Sequence, residues 1–229
     1  MLMRLVCGNA HRQFRRIVGS SHYPKVAKIS EQSEFFAFGR IIWMSRPFIL
    51  GSFILGALLI QGIVLYFLGQ PVICTCGYIK PWEGDVSSSG NSQHVADWYT
   101  PSHIIHGFIL YFILWILFPR MSFMQRLLIA VGVEAAWEMY ENTPWLIEQY
   151  RQQALAAGYV GDSILNSLSD TAAMISGFFF ASVMPAWLTV LSILGLEAWV
   201  GYSIRDNLTL NILNFLHQFK FISDWQSRL

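Results

Sequence analysis

Residues 47–69 read PFILGSFILGALLIQGIVLYFLG, a run with no charged side chain from end to end. A helix needs roughly 17–25 mostly apolar residues to cross the hydrocarbon core of a bilayer, so this stretch is long enough to span one. The chain around it has the same character. Of 229 residues 54% are hydrophobic and 13% charged, and the mean hydropathy is +0.43, far from the values of a soluble globular domain. Further runs of spanning length follow at residues 101–118, 124–142, 163–184 and 186–204.

The flanks of these runs are helix ends rather than strand turns. Thr100-Pro101 pairs a capping residue with a first-turn proline, and Gly161-Asp162-Ser163 offers a similar start with Asp162 as a cap. Barrel strands would need short alternating segments. The expected fold is an all-α membrane protein, a bundle of about five transmembrane helices. A short interfacial helix is expected at 143–157, with Trp145, Ile147 and Tyr150 lying on the membrane surface. Leu208, Ile212, Phe215, Leu216, Phe219 and Ile222 share one face of a C-terminal amphipathic helix over 207–223, expected to bind lipid by apolar burial. Three regions follow: a basic arm at 1–46, the transmembrane domain at 47–204 and the amphipathic tail at 205–229.

Charge sets the orientation. Arg4, Arg12, Arg15, Arg16, Lys25, Lys28, Arg40 and Arg46 crowd the arm, whereas the loop between the first two spans carries Lys80 alone. Positively charged flanks stay inside. The expected placement is therefore a bacterial inner membrane with the N-terminus cytoplasmic, the first loop outside and the lipid bilayer as principal partner. A formal net charge of +1 gives no polyanion signal, so nucleic acid is not expected, while self-association into a homo-oligomer stays open.

Polar groups interrupt the apolar runs in a pattern. His103 and His106 are three apart, Glu134, Glu138 and Glu141 four and three apart, and Asp162, Asn166 and Asp170 four and four apart. Spacings of three, four and seven share a helical face, so three polar stripes can meet. At ~1.5 Å per residue, all of them fall within the outer half of the bilayer, where an ionisable group is costly and marks a functional site by default. The expected object is a pocket open to the outer side, floored by residues 178–180. Glu197 is a candidate further member, and His94 and Asp97 lie in the outer loop near the mouth.

The stretches NSQH at 91–94, DWYTPSHIIHGF at 97–108, EAAWEMYEN at 134–142 and GDSILNS at 161–167, with CTCG at 74–77, resemble an uncharacterised family of bacterial inner-membrane proteins. The resemblance implies a multi-pass inner-membrane location and brings no activity with it. The histidine before Gly107-Phe108, the glutamate-rich next span and Asp162-x-x-x-Asn166 are also similar to the VanZ-like superfamily.

Three uses of the pocket stay open on the sequence. A metal-assisted or acid/base enzyme acting on a lipid or envelope intermediate would use Glu134, Glu138 and Asp170 catalytically, and His103, His106, Glu138 and Asp170 would bind one divalent metal such as zinc. Glu141, Asp162, Asn166, His94 and Asp97 would complete the pocket. The second use is a hydrogen-bonded network that fixes helix register, and the third a conducting pathway for a proton or solute. The inner halves of the middle spans carry no charge besides Arg126, which favours a closed pocket.

Cys74 and Cys76 share the outer loop, on the side where disulfides persist, and Cys7 lies in the arm. An impermeant thiol reagent applied to intact spheroplasts after reduction should label Cys74 and Cys76 and spare Cys7. Labelling of Cys7 alone would invert the topology.

Overall fold

The computed structural model describes residues 29–227; the expected basic arm before residue 29 lies outside them. The chain divides into two compact units, Met1–Arg46 and Pro47–Leu229, and the second carries everything that follows. Helices run in the order α1 Ile29–Phe67, α2 Thr100–Leu117, α3 Phe123–Glu141, α4 Pro144–Arg151, α5 Ile164–Val183, α6 Ala186–Ile204, α7 Leu208–Leu216 and α8 Lys220–Gln226. No strand occurs among the described residues. Four segments are long and apolar enough to cross a membrane: Phe48–Phe67, Thr100–Leu117, Ile164–Val183 and Ala186–Ile204. That is the architecture of an all-α membrane protein. α3 has the length, at 19 residues, but its composition includes Arg126, Glu134, Glu138 and Glu141.

Local chemistry places the helix starts. Ser122 accepts from Gln125 N while the Gln125 side chain accepts from Ser122 N, a reciprocal capping box for α3. Thr143 caps α4 ahead of Pro144, and Asn207 caps α7. Ser163, not Asp162, caps α5, which frees the Asp162 carboxylate for other partners. Nor does Thr100 cap α2: Tyr99 holds the cap position without a side-chain bond, because the Thr100 hydroxyl donates across the bundle to Asp170 at 2.9 Å.

α2 and α5 are the most closely packed pair in the bundle. Gly107 lies against the backbone of Met174 and Phe178, and Gly177 against the carbonyl of Ile104; a methyl group at either glycine would run into main-chain atoms. Such small residues let two helical backbones touch where lipid supplies no hydrophobic driving force. Leu114, Leu127, Ala130, Val131, Met174 and Phe178 form an apolar core shared by α2, α3 and α5. α1 is pinned to α5 by one polar residue: fully buried Gln61 donates to Ser167 Oγ at 2.8 Å and accepts from Thr171 Oγ1 at 3.0 Å.

Two expected elements are shorter than the spacing suggested. α4 stops at Arg151 rather than near 157, and it turns Ile147 and Tyr150 inward, leaving Trp145 exposed. The single tail helix over 207–223 is broken at 217–219 into α7 and α8. Gln226 explains the break. Its amide accepts from Asn214 Nδ2 at 3.1 Å and donates to the carbonyl of Arg205 at 3.1 Å, contacts that fold α8 back onto the turn after α6 and that a continuous helix would carry out of reach.

The glycine contact yields a comparison of variants. Overpacking typically costs about 1–3 kcal/mol when side chains can yield, and backbone atoms yield less. Gly177→Ala should therefore lower the thermal midpoint in detergent strongly. Gly132→Ala, where the new methyl meets nothing within 4 Å, should be neutral or stabilising by about 0.4–1 kcal/mol. Equal midpoints for the two variants would contradict the close backbone approach.

Candidate functional site

A cavity of ≈ 640 Å³ opens among α2, α3, α4, the start of α5 and the tail. His103, His106, Glu134, Glu141, Asp162 and Asp170 line it as a histidine–carboxylate group; apolar side chains, with Ile109, Leu110, Val133, Leu155, Ile212 and Phe215 among them, and uncharged polar ones such as Ser87, Asn91 and Gln153 line the rest. Among the described residues, no lysine or arginine lines it. The α7 residues Leu208, Ile212, Phe215 and Leu216 face this cavity, so the apolar stripe expected to lie on lipid forms a wall of the pocket instead. Below the polar end lies the apolar core with Phe178 fully buried, whereas Phe179, expected in the floor, is exposed.

His103 occupies the centre of the polar end. Its Nδ1 lies 2.7 Å from Glu134 Oε1 and 3.2 Å from Glu138 Oε1, and its Nε2 lies 3.9 Å from Asp170 Oδ2. His106 Nδ1 lies 3.2 Å from both oxygens of Glu134. One carboxylate thus engages two imidazoles, from the i and i+3 positions of α2. Glu138 is anchored on its other oxygen by the Ser167 hydroxyl at 2.7 Å, while its buried Oε1 has no hydrogen-bond partner. Glu134 and Glu138 are each 1% exposed and Asp170 4%, so three acids and an imidazole share a site closed to bulk water.

Other expected members hold the site up without lining it. Asn166 Nδ2 donates to the carbonyl of His94 at 2.9 Å, and Ser163 Oγ to that of Gln93 at 3.0 Å. These bonds fasten the loop between α1 and α2 onto the first turn of α5. His94 accepts from Lys80 N on Nδ1 and stacks on Tyr78. Asp97 accepts from Ser92 N at 2.9 Å and Tyr99 N at 2.8 Å; burial raises its carboxyl above the ordinary value, with these N–H groups pulling the other way. Cys74 and Cys76 form a disulfide beside His94. Glu197 is not a pocket member: its two oxygens accept from Leu208 N and Thr209 N, at the start of α7.

Several site residues escape a reading based on acids and histidines. Asn142 and Asp162 bond reciprocally, Asn142 Nδ2 to Asp162 Oδ2 and Asp162 N to Asn142 Oδ1, both at 2.7 Å, joining the end of α3 to the start of α5. Gly161 precedes this pair at φ +94°, where a Cβ would collide with the Gln70 amide, so only glycine suits both the backbone and the space. The Tyr159 hydroxyl donates to Asp162 Oδ1 at 3.0 Å. Burial raises the Asp162 carboxyl to about 6, against the donors Asn142 and Tyr159. The Tyr99 hydroxyl donates to Asp206 Oδ2 at 3.3 Å.

Asp206 has a similar environment and a testable consequence. Burial raises its carboxyl from 3.8 to about 6, against the Asn207 N–H and the Tyr99 hydroxyl. A raised carboxyl favours the folded state fully below the unfolded value and loses that contribution as pH climbs through the folded one. The window therefore runs from 3.8 to about 6, and a shift of this size corresponds to about 3 kcal/mol as an order of magnitude. Asp206→Asn removes the titration, so its stability in detergent should fall less than that of wild type as pH rises through this window. Parallel pH profiles would show that Asp206 does not titrate differently on folding.

The family model described as Protein of unknown function (DUF2585) matches residues 65–228. A UPF0314 protein of Agrobacterium fabrum is 51% identical over 174 residues, covering 76% of this chain and 88% of the relative. Its counterpart in Rhizobium etli is 49% identical over 175 residues, 76% and 90% of the two chains. In Paracoccus denitrificans the identity is 46% over 172 residues, 75% and 89%. No solved structure matches. The likeness to the VanZ-like superfamily is not carried by these matches. With the signature stretches at 91–108, 134–142 and 161–167 inside the matched region, the chain belongs to the uncharacterised DUF2585 family of UPF0314 proteins.

Proposed function

We propose that the protein is a multi-pass bacterial inner-membrane protein that holds an amphiphilic molecule, a lipid or envelope intermediate, and carries out proton transfer on its headgroup. The observation that carries this reading is the composition of this cavity: a histidine–carboxylate group together with a wall rich in apolar side chains, complementary to a molecule with a polar head and hydrocarbon body. In this reading α3 is a fifth span whose acids turn inward, the cavity lies in the outer half of the bilayer, and the N-terminus is cytoplasmic, which the basic residues of the arm support.

Of the three acids expected to act catalytically, Glu134 and Asp170 line the cavity, whereas Glu138 does not and works through His103. An imidazole between carboxylates has its ring orientation and tautomer set by them, and such a pair can give and take a proton at the headgroup. Conduction is disfavoured by the apolar core below His103. A second reading, a network that only fixes helix register, is favoured by the way Glu134 engages both imidazoles.

Native mass spectrometry in mild detergent and solvent extraction of the purified protein separate these readings. Wild type should carry an amphiphile in stoichiometric amount. Val133→Trp, which fills an apolar wall, should weaken its retention by about tenfold or more, equivalent to ~1.4 kcal/mol, while His106→Gln should retain it. Extracts of wild type that match those of an unrelated membrane protein would leave only the structural network.

A further inference from the structure

We propose that His103, His106 and Glu134 bind one divalent transition-metal ion, with Glu138 presenting an additional oxygen to it. Three ligand atoms, one from each of His103, His106 and Glu134, lie within 4.8 Å of one another. His103 Nδ1 and Glu134 Oε1 are 2.7 Å apart, and His106 Nδ1 is 3.2 Å from the same oxygen. Donors held ~2.0–2.1 Å from a tetrahedral zinc ion lie ~3.3 Å from each other, so a small outward relaxation of these side chains admits the ion. Two imidazoles and one glutamate are also the donor set of one class of zinc site that keeps a position open.

A second, independent observation points to a cation. Glu138 Oε1 is buried, has no hydrogen-bond partner and lies 3.2 Å from His103 Nδ1. A neutral imidazole carries one N–H, and at 2.7 Å the Glu134 oxygen is the closer acceptor for Nδ1. Glu138 Oε1 is therefore left facing a nitrogen that has nothing further to donate, which is costly for a buried carboxylate. An ion shared by Glu134, both imidazoles and Glu138 removes that cost. It also answers the charge of the cavity, where carboxylates line the polar end and no lysine or arginine does. His103, His106 and Glu134 all line the cavity, which leaves room for a ligand on the ion from that side.

Asp170 takes a different role from the one its depth in the sequence suggested. It lies at the Nε2 of His103, 3.9 Å away, on the side opposite the Nδ1 that meets Glu134, and is held there by Thr100. A carboxylate behind a ligating imidazole fixes the ring and raises its basicity. Asp170 is a positioning residue for the metal, not a ligand. Zinc is the expected ion, since imidazole and carboxylate suit it, four such donors match its tetrahedral preference, and it expands to five-coordination when a further ligand enters.

This inference does not depend on the amphiphile, and its measurements are elemental and optical rather than lipid analyses, so either proposal can fail alone. Full-length protein purified in detergent without chelator should contain about one zinc per chain. His106→Ala and Glu134→Gln should lose it. Asp206→Asn, which alters a cavity acid outside the set, and Cys74→Ser, which alters the other cysteine–histidine cluster, should keep it. Asp170→Asn should bind about 10–100-fold more weakly. Cobalt(II) added to chelator-stripped wild type should give the visible absorption of a four-coordinate site, a readout that holds even where a variant does not fold. Absence of both stoichiometric metal and a cobalt band in wild type overturns the proposal, and so does equal loss of metal in Asp206→Asn.

Discussion

Everything at the polar end depends on how closely the backbones of α2 and α5 approach each other. Gly107 and Gly177 bring main chain against main chain, and the residues one and two turns toward the N-terminus of each helix are carried together with them. Thr100 reaches Asp170, and His103 lies with one ring nitrogen toward Asp170 and the other toward Glu134 and Glu138. A separation larger by one methyl group at the crossing would move His103 away from Asp170. The site is therefore set by a contact between residues that have no polar atoms in their side chains. Variants at those glycines should be read as site variants as much as packing variants.

The second constraint is where buried polar atoms find partners. Gln61 interrupts the apolar run of α1, and both ends of its amide are spent on Ser167 and Thr171. Ser167 in turn donates to Glu138, so α1 is linked through two side chains to the acid beside His103. The loop between α1 and α2 is fastened in the same manner, with backbone carbonyls of residues 93 and 94 taking donors from Ser163 and Asn166. Pinning the loop there satisfies side chains that would otherwise be orphaned at the start of α5, and it puts Ser87, Ser88 and Asn91 on the cavity wall. The disulfide between Cys74 and Cys76 lies within this loop, in the part that also carries His94.

Helical periodicity made the stripes legible: His103 with His106, Glu134 with Glu138, and Asp170 at the inner end of its own stripe do converge. Periodicity gives the face of one helix, however, and not which atoms of that face meet a neighbour. Asn166 and Glu138 share faces with cavity residues yet point one layer behind them, to a loop carbonyl and a serine. Glu197 sits at a depth like that of the other acids but lies on α6, whose relevant neighbour is the N-terminus of α7. Partners without charge, such as Asn142, Ser167 and Tyr159, carry no periodic signal of their own. The break in the tail was hidden because its cause, Gln226 returning to Arg205 and Asn214, is a tertiary contact that local spacing does not encode.

That return also explains why an amphipathic helix ends up as a wall. α7 alone has an apolar stripe that could lie on lipid or cover a pocket, and its nine residues are too few to be a stable helix in water by themselves. Glu197 fixes its first turn, Asn214 ties its last turn to Gln226, and Asp206, held by Tyr99, anchors the turn before it. Polar bonds at both ends thus choose between the two destinations, and they choose the cavity. Because Ile212, Phe215 and Leu216 then face the same space as His106 and Glu134, the tail shares the apolar wall with Ile109, Leu110 and Val133 of the bundle, while the bundle holds His103, His106 and Glu134. Loosening the tail would open the hydrocarbon side of the cavity and leave the histidine–carboxylate end assembled, since none of the bonds that hold His103, Glu134, Glu138 and Asp170 involves a residue beyond Ile204.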